Sequence, residues 1–330
     1  MRLRESPEDF RVEELPLYSP TGEGEHTFVR VEKRLRTTEE VARDLARAAG
    51  VSPRDVGYAG RKDRRAVATQ WLSVPGLEPA AALRLSIPGV SVLEAAPHPH
   101  KLRTGQLRGN RFEIAVRDVG EAEVAIAVER GERFRDFGLA NRFGDQRFGR
   151  DGDNAERAAA VLRGEASRAS RREQRFLVSA LQAAVFNTAL DERPLPPHEL
   201  EVGDLAVRHD SGGLFQVEDL EREASRAAAF EISATGPIFG VKVPWPAGAV
   251  AERERSLLER FGVGEGTLRP PRGLRLRGAR RALRVRPEEW RHEFRDGVLR
   301  LGFALPSGSY ATVLIDALFA DSEGAEAPSE

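Results

Sequence analysis

The sequence predicts an α+β fold: one mixed, mainly antiparallel sheet with helices packed on it, plus an inserted α/β lobe. Three observations predict it. Phe112, Ile114 and Val116 alternate with smaller or charged residues, as do Leu299, Leu301, Phe303 and Leu305. Alternation of this kind puts each set on one face of a strand. Thr37-x-x-Glu40 is a capping box that opens an amphipathic helix through Val41, Leu45 and Ala48, closed by Gly50. Strands return after Pro270-Pro271, following helices and short strands, so one sheet is expected from both chain ends around an insertion.

In order, Pro7 with Glu8 and Asp9 favours a turn, after which Phe10 and Val12 start an alternating segment. Residues 22–26 read as a loop ending at His26, to which no chemistry is assigned, and Thr27–Lys33 as an extended run. Then comes the stretch Val56-Gly-Tyr-Ala-Gly60-Arg-Lys-Asp63-Arg-Arg-Ala-Val-Ala-Thr-Gln-Trp71. An apolar lead-in ends at Gly60, and Asp63 sits among Arg61, Lys62, Arg64 and Arg65. Such a loop presents one carboxylate to an anionic substrate that the cations attract. A solvated, self-paired surface turn is the other reading. Lys62 and Arg64 are the candidate phosphate contacts here.

Leu77–Ile87, between prolines, reads as a helix. A basic run from Lys101 to Arg108 precedes Gly109-Asn110 and the Phe112 strand, with Asn110 in the same parity as Phe112. Asn141-Arg-Phe-Gly-Asp-Gln-Arg147-Phe-Gly149 interleaves glycines and aromatics with Arg142 and Arg147. This suits a loop close to a nucleic-acid backbone, or an irregular connection packed by its own aromatics. Asp153-x-x-Glu156 caps a short helix ending at Gly164, and a longer helix carries Phe176, Leu177, Leu181, Ala184 and Val185. Arg168, Arg172 and Arg175 share one face of it, solvated or aimed at phosphate. Pro194-Leu-Pro-Pro197 ends that helix, and residues 203–240 hold short strands and a charged helix around 218–231. After Pro270-Pro271, Leu283 and Val285 alternate with arginines. Pro306-Ser-Gly-Ser-Tyr310-Ala-Thr312 opens a helix through Val313, Leu314, Ala317 and Leu318, and the last ten residues read as disordered.

A chain of 330 residues holds one large or two ordinary domains. With no cysteine, disulfide scaffolds, thiol nucleophiles and Cys-rich zinc sites are excluded. There is no apolar run of membrane-spanning length and no apolar signal core at Met1–Pro7, so the cytoplasm is the expected compartment. Net charge is only −1, so an RNA surface must come from segregated charge. Segregation is visible: nine arginines lie between Arg269 and Arg291, while acidic residues collect in the tail. Lys33, Lys62, Lys101 and Lys242 are the only lysines; the other strong cations are arginines. Arginine suits phosphate and base stacking, and is equally what a GC-rich genome encodes.

The Asp63 stretch resembles the signature of the TruD family of tRNA pseudouridine synthases, V-x-x-A-G-x-K-D-x-x-A-x-T-x-Q-W. Pro7-Glu-Asp-Phe10, Gly109-Asn110-x-Phe112, Asn141–Gly149 and Leu305-Pro-Ser-Gly-Ser-Tyr-Ala-Thr312 resemble its other elements, in the family's order. The resemblance implies a pseudouridine-synthase-like fold at 1–140 and 269–330 with an inserted TRUD lobe at 141–268. It implies isomerisation of a uridine in tRNA, expected at position 13, with Asp63 as the catalytic carboxylate. Arg4 stands where the family has a lysine that contacts that carboxylate. Phe10, Asn110 and Tyr310 are implied to hold the flipped base, with Phe112 behind Asn110; the family's aromatic at 310 is often Phe. The implied partner is tRNA, with no cofactor, no metal and no membrane, and the chain is expected to act as a monomer. One carboxylate can attack C1′, attack C6 or abstract a proton, and these routes stay open. A non-catalytic RNA-binding protein of the same fold and a carboxylate-based N-glycosidase are the rival readings.

Overall fold

The computed structural model describes residues 1–320 except 145, 146, 149–153, 164, 166–168 and 265–275. The acidic tail and the prolines at 270 and 271 therefore lie outside the described residues, as do Asp153, Gly164 and Arg168. The chain forms two compact units. One comprises residues 1–132 and 287–308, the other 133–286 and 309–320.

The first unit starts with β1 (Arg2–Leu3), a 3-10 turn at Pro7–Asp9, β2 (Phe10–Pro16) and β3 (His26–Arg34). Next come α1 (Thr38–Ala49), β4 (Gly57–Tyr58), β5 (Val67–Pro75), α2 (Pro79–Ala82), β6 (Val90–His98) and β7 (Leu107–Arg117). Helix α3 (Glu121–Phe137) carries the boundary between the units. The second unit continues with β8 (Leu139–Ala140), α4 (Asn154–Leu162), α5 (Arg171–Asp191), β9 (Leu205–Arg208) and β10 (Leu214–Gln216). It goes on through α6 (Leu220–Ala228), β11 (Ile232–Ile238), α7 (Gly248–Arg260), β12 (Ala279–Ala282) and β13 (Arg284–Val285). Strands β14 (Glu288–Arg295) and β15 (Val298–Pro306) return to the first unit, and α8 (Ala311–Leu318) belongs to the second.

The first unit's sheet runs β14-β15-β7-β2-β5-β3-β6, with β1 beside β7 and β4 beside β5. Only the β2–β5 pairing is parallel, so the predicted mixed, mainly antiparallel sheet is what forms. Alternation decides its faces. Phe112 lies opposite both Val12 and Phe303, and the rings of Phe10, Phe112 and Phe303 pack in series at 6.0 and 5.4 Å. Helix α1 is capped by Thr37 and Glu40 and ends at Gly50 with φ 68°, where glycine avoids a Cβ clash. It buries Val41, Ala42, Leu45 and Ala46 on Val29, Val31, Leu72 and Val74. Each fully buried aliphatic chain there stabilises by about 1.5–3 kcal/mol.

Two expectations change. The helix expected over Leu77–Ile87 shrinks to Pro79–Ala82, because Ile87 bridges to Val90 across Pro88-Gly89 and the chain enters β6. Arg284, expected to alternate outward between Leu283 and Val285, is 2% exposed. Its guanidinium donates to Ser233 Oγ and the carbonyls of Phe137, Ala227 and Ile232, and lies over Phe230. Satisfying those donors removes most of the cost of burying them.

In the second unit α4, α5 and α7 share a core of Ala158, Leu162, Leu177, Leu181, Val185, Leu257 and Leu258. A sheet ordered β10-β9-β11-β12 packs Ala234 against Phe186 and Leu190 of α5. Among the described residues no helix is long and apolar enough to cross a membrane.

Gly131 of α3 faces Trp290 so closely that a Cβ would lie 2.0 Å from the indole. Gly131→Ala is therefore expected to destabilise by about 1–3 kcal/mol in thermal unfolding, although Ala is by itself the better helix former.

Candidate active site

Asp63 follows β4 on the loop that leads into β5, and three polar contacts from three elements hold that loop. From α1, Thr38 Oγ1 accepts the main-chain N–H of Lys62 at 2.9 Å. From β2, Glu14 accepts the Lys62 ammonium at 2.7 Å, with side chains 1% and 5% exposed. From β3, the Lys33 ammonium donates to the main-chain carbonyl of Asp63 at 2.6 Å. The main chain at Asp63 is thus fixed while its side chain stays open: the carboxylate is 53% exposed.

Arg4 donates from Nη2 to Asp63 Oδ2 at 3.3 Å, and its guanidinium lies 4.1 Å over the Phe10 ring. Its backbone is left-handed at φ 58°, which costs a non-glycine residue about 1–2 kcal/mol. Such strain concentrates at functional sites. Phe10 itself is buried, with Arg4 over its ring and Phe112 at its edge. The turn before it is fastened by Arg117, which grips Asp9 at 2.7 Å and holds that carboxyl below its usual range. Phe10 therefore carries Arg4, and the expected open stacking face for a base is taken by the guanidinium. Asn110 lies opposite Glu14 on β7, and its Oδ1 is buried with no hydrogen-bond partner among the described residues.

The first unit thus brings together Asp63, Arg4, Phe10 and Phe112, and ties Asn110 to the loop through Glu14 and Lys62. One cation assignment needs correction. Lys62 is 8% exposed and spent on Glu14, so it has no access to a phosphate. The Arg64 guanidinium pairs with Glu40 while its side chain stays 56% exposed.

The second unit gathers the remaining predicted residues. Phe143 is clamped by Asn187, whose amide accepts from its N–H and donates to its carbonyl, both at 2.9 Å. Arg147 donates to Ser179 Oγ at 2.7 Å and to the Tyr310 hydroxyl at 3.1 Å. Tyr310, where the resembling family often has Phe, thereby finds the partner its hydroxyl needs. Arg281 lies 4.2 Å over Phe143 and bonds the Asn141 side chain; burial pushes its guanidinium down to about 10. Arg142 pairs with Asp191, and Arg172 is exposed in the first turn of α5. Asp145, Gln146 and Gly149 of this motif lie outside the described residues.

Sequence reasoning missed Lys33, Glu14 and Thr38. Signals existed for two of them. Glu14 continues the core parity of Phe10 and Val12, where a carboxylate needs a buried partner. Lys33 is one of four lysines in a chain that otherwise uses arginine.

A family model described as tRNA pseudouridine synthase D (TruD) matches residues 1–172 and 166–317. The tRNA pseudouridine synthase D of Anaeromyxobacter sp. (strain Fw109-5) is 44% identical over 336 residues, covering 99% of this chain and 94% of that one. A tRNA pseudouridine synthase D of Thermus thermophilus is 42% identical over 326 residues, covering 95% and 87%. The crystal structure of a putative tRNA pseudouridine synthase D from Methanosarcina mazei superposes with a TM-score of 0.77 at 21% identity, covering 96% of this chain and 93% of that one, a likeness of fold. With sequence signatures, fold and near-full-length relatives in agreement, this chain belongs to the TruD family of tRNA pseudouridine synthases.

Proposed function

We propose that this chain converts a uridine of tRNA, expected at position 13, to pseudouridine, with Asp63 as the reacting carboxylate. The observation that carries the reading is a side chain held by Arg4 yet open to a substrate, on a main chain locked by Thr38, Glu14 and Lys33.

The reaction breaks the C1′–N1 bond, turns the uracil and joins C1′ to C5; the C5 proton leaves to solvent and N1 takes one up. Substrate and product are isomers, so atoms balance without an added reagent. A carboxylate serves as nucleophile at C1′ or C6, or as base. The uridine must leave its stack to reach it. Asn110 is assigned to the flipped base; its Oδ1 is buried without a partner among the described residues, at a cost of about 1–3 kcal/mol. Tyr310, tethered by Arg147, is assigned to the base, and the exposed Arg172 to the RNA backbone. The half-open carboxylate leaves exclusion of water to the bound RNA. The domain reading is a synthase domain at 1–140 and 269–330 with a TRUD insertion at 141–268, acting as a cytoplasmic monomer.

Incubation with tRNA carrying 5-tritiated uridine tests this. Tritium release and pseudouridine at one position are expected; no release would favour a binding protein, and free uracil an N-glycosidase. In the same assay Arg4→Ala is expected to lose about 100-fold in rate with tRNA affinity retained, and Arg4→Lys to lose less because the charge stays.

A further inference from the structure

We infer that Lys33 is a positioning residue for the reaction: its buried ammonium, shared between the carbonyls of Asp63 and Arg36, fixes the main chain from which the reacting carboxylate projects. This rests on the assignment of Asp63.

Lys33 ends the buried face of β3, opposite Ala68 of β5 and Val90 of β6, and is fully buried. Neither flanking strand offers it a charge at those positions. A buried ammonium without a hydrogen-bonded carboxylate is expensive and demands acceptors. Here its acceptors are two main-chain oxygens, at 2.6 Å for Asp63 and 2.7 Å for Arg36. The charged groups that act on it are Asp63 and Lys62 from the loop and Glu39 and Glu40 from α1. Those of α1 are committed elsewhere, Glu39 to Arg61 and Glu40 to Arg64. The carboxylate of Asp63 is the strongest of the charges that favour the ammonium, so cation and carboxylate support one another. Arg36, which supplies the second carbonyl, is itself anchored to Asp44 of α1. The ammonium therefore ties the loop to the start of α1. The chain uses arginine almost everywhere else, and a guanidinium would not fit between these carbonyls as a compact ammonium does.

Charge matters as well as shape. Burial pushes Lys33 down to about 8, against the pull of Asp63. Above that value the ammonium loses its proton, its hydrogen bonds cease to be charge-assisted, and the field on Asp63 weakens.

The test is single-turnover pseudouridine formation on tRNA from neutral to about pH 9.5, with tRNA binding measured in parallel. In the native chain the rate is expected to fall as pH rises through the Lys33 value while binding falls less. Lys33→Met is expected to lower the neutral rate at least about 30-fold with tRNA affinity within about threefold, and to abolish the alkaline fall. Lys33→Gln keeps amide donors without charge, so an intermediate rate, also without the fall, is expected. A Met variant within about twofold of the native rate, or any variant that keeps the fall, overturns the proposal. Should Lys33→Met not fold, the native and Gln profiles decide, and a native profile without an alkaline fall overturns it. Asp63→Asn runs alongside. If it stays active, the assignment of Asp63 on which this inference rests fails; if it is inactive while Lys33→Met is unimpaired, only the positioning role fails.

Discussion

Asp63→Asn is expected to lower pseudouridine formation by at least about 10⁴-fold while leaving tRNA affinity within about threefold. The amide matches the carboxylate in shape and keeps an oxygen for the Arg4 guanidinium, which now approaches Oδ2 at 3.3 Å. It supplies neither a nucleophile nor a base. Folding should be unaffected, since the side chain is 53% exposed and the loop is held through its main chain and through Lys62. Rate comes from tritium release and affinity from filter binding. A variant that still forms pseudouridine at a substantial fraction of the native rate would refute the assignment of Asp63.

Lys62→Met is expected to destabilise the first unit by about 3–5 kcal/mol, the cost of removing one member of a buried ion pair. Lys62 and Glu14 meet at 2.7 Å with almost no solvent contact, so the mutation strands a carboxylate in the core. Glu14 Oε1 also accepts the Trp71 N–H at 3.3 Å, which ties the pair to β5. A double variant, Lys62→Met with Glu14→Leu, should regain most of the loss, because desolvated charges replaced together by apolar groups are often neutral. Urea unfolding of both variants checks this. A loss below about 1 kcal/mol for Lys62→Met would mean that the pair is hydrated and that the loop is not held from beneath.

Much of the site was legible as residue types, and much of its wiring was not. The stretch around Asp63 marked the reacting group because a lone carboxylate among cations is unusual in an otherwise apolar element. One of the same cations misled. Lys62 looks like a phosphate contact in a linear sequence, yet it is buried on Glu14. Glu14 lies 48 positions from Lys62 and Lys33 30 from Asp63, and no local pattern connects residues so far apart. Phe10 was legible as important, but whether its ring faces a base or a guanidinium depends on where Arg4 turns, and Arg4 turns through a left-handed backbone that arginine seldom adopts.

By itself the sequence determined the strands around Phe10, Thr27, Phe112 and Leu299 and the capped helix, because alternation and capping are rules of nearest neighbours along the chain; the edge strands β6 and β14 carried no such pattern. It determined the family too, through motifs kept in order from Pro7 to Thr312. Only the tertiary structure decided which charges are buried and which are free. Burial is a property of what several distant strands and helices bring to one point, and the energy of a charge is set there, where water has been replaced by carbonyls and a counter-ion.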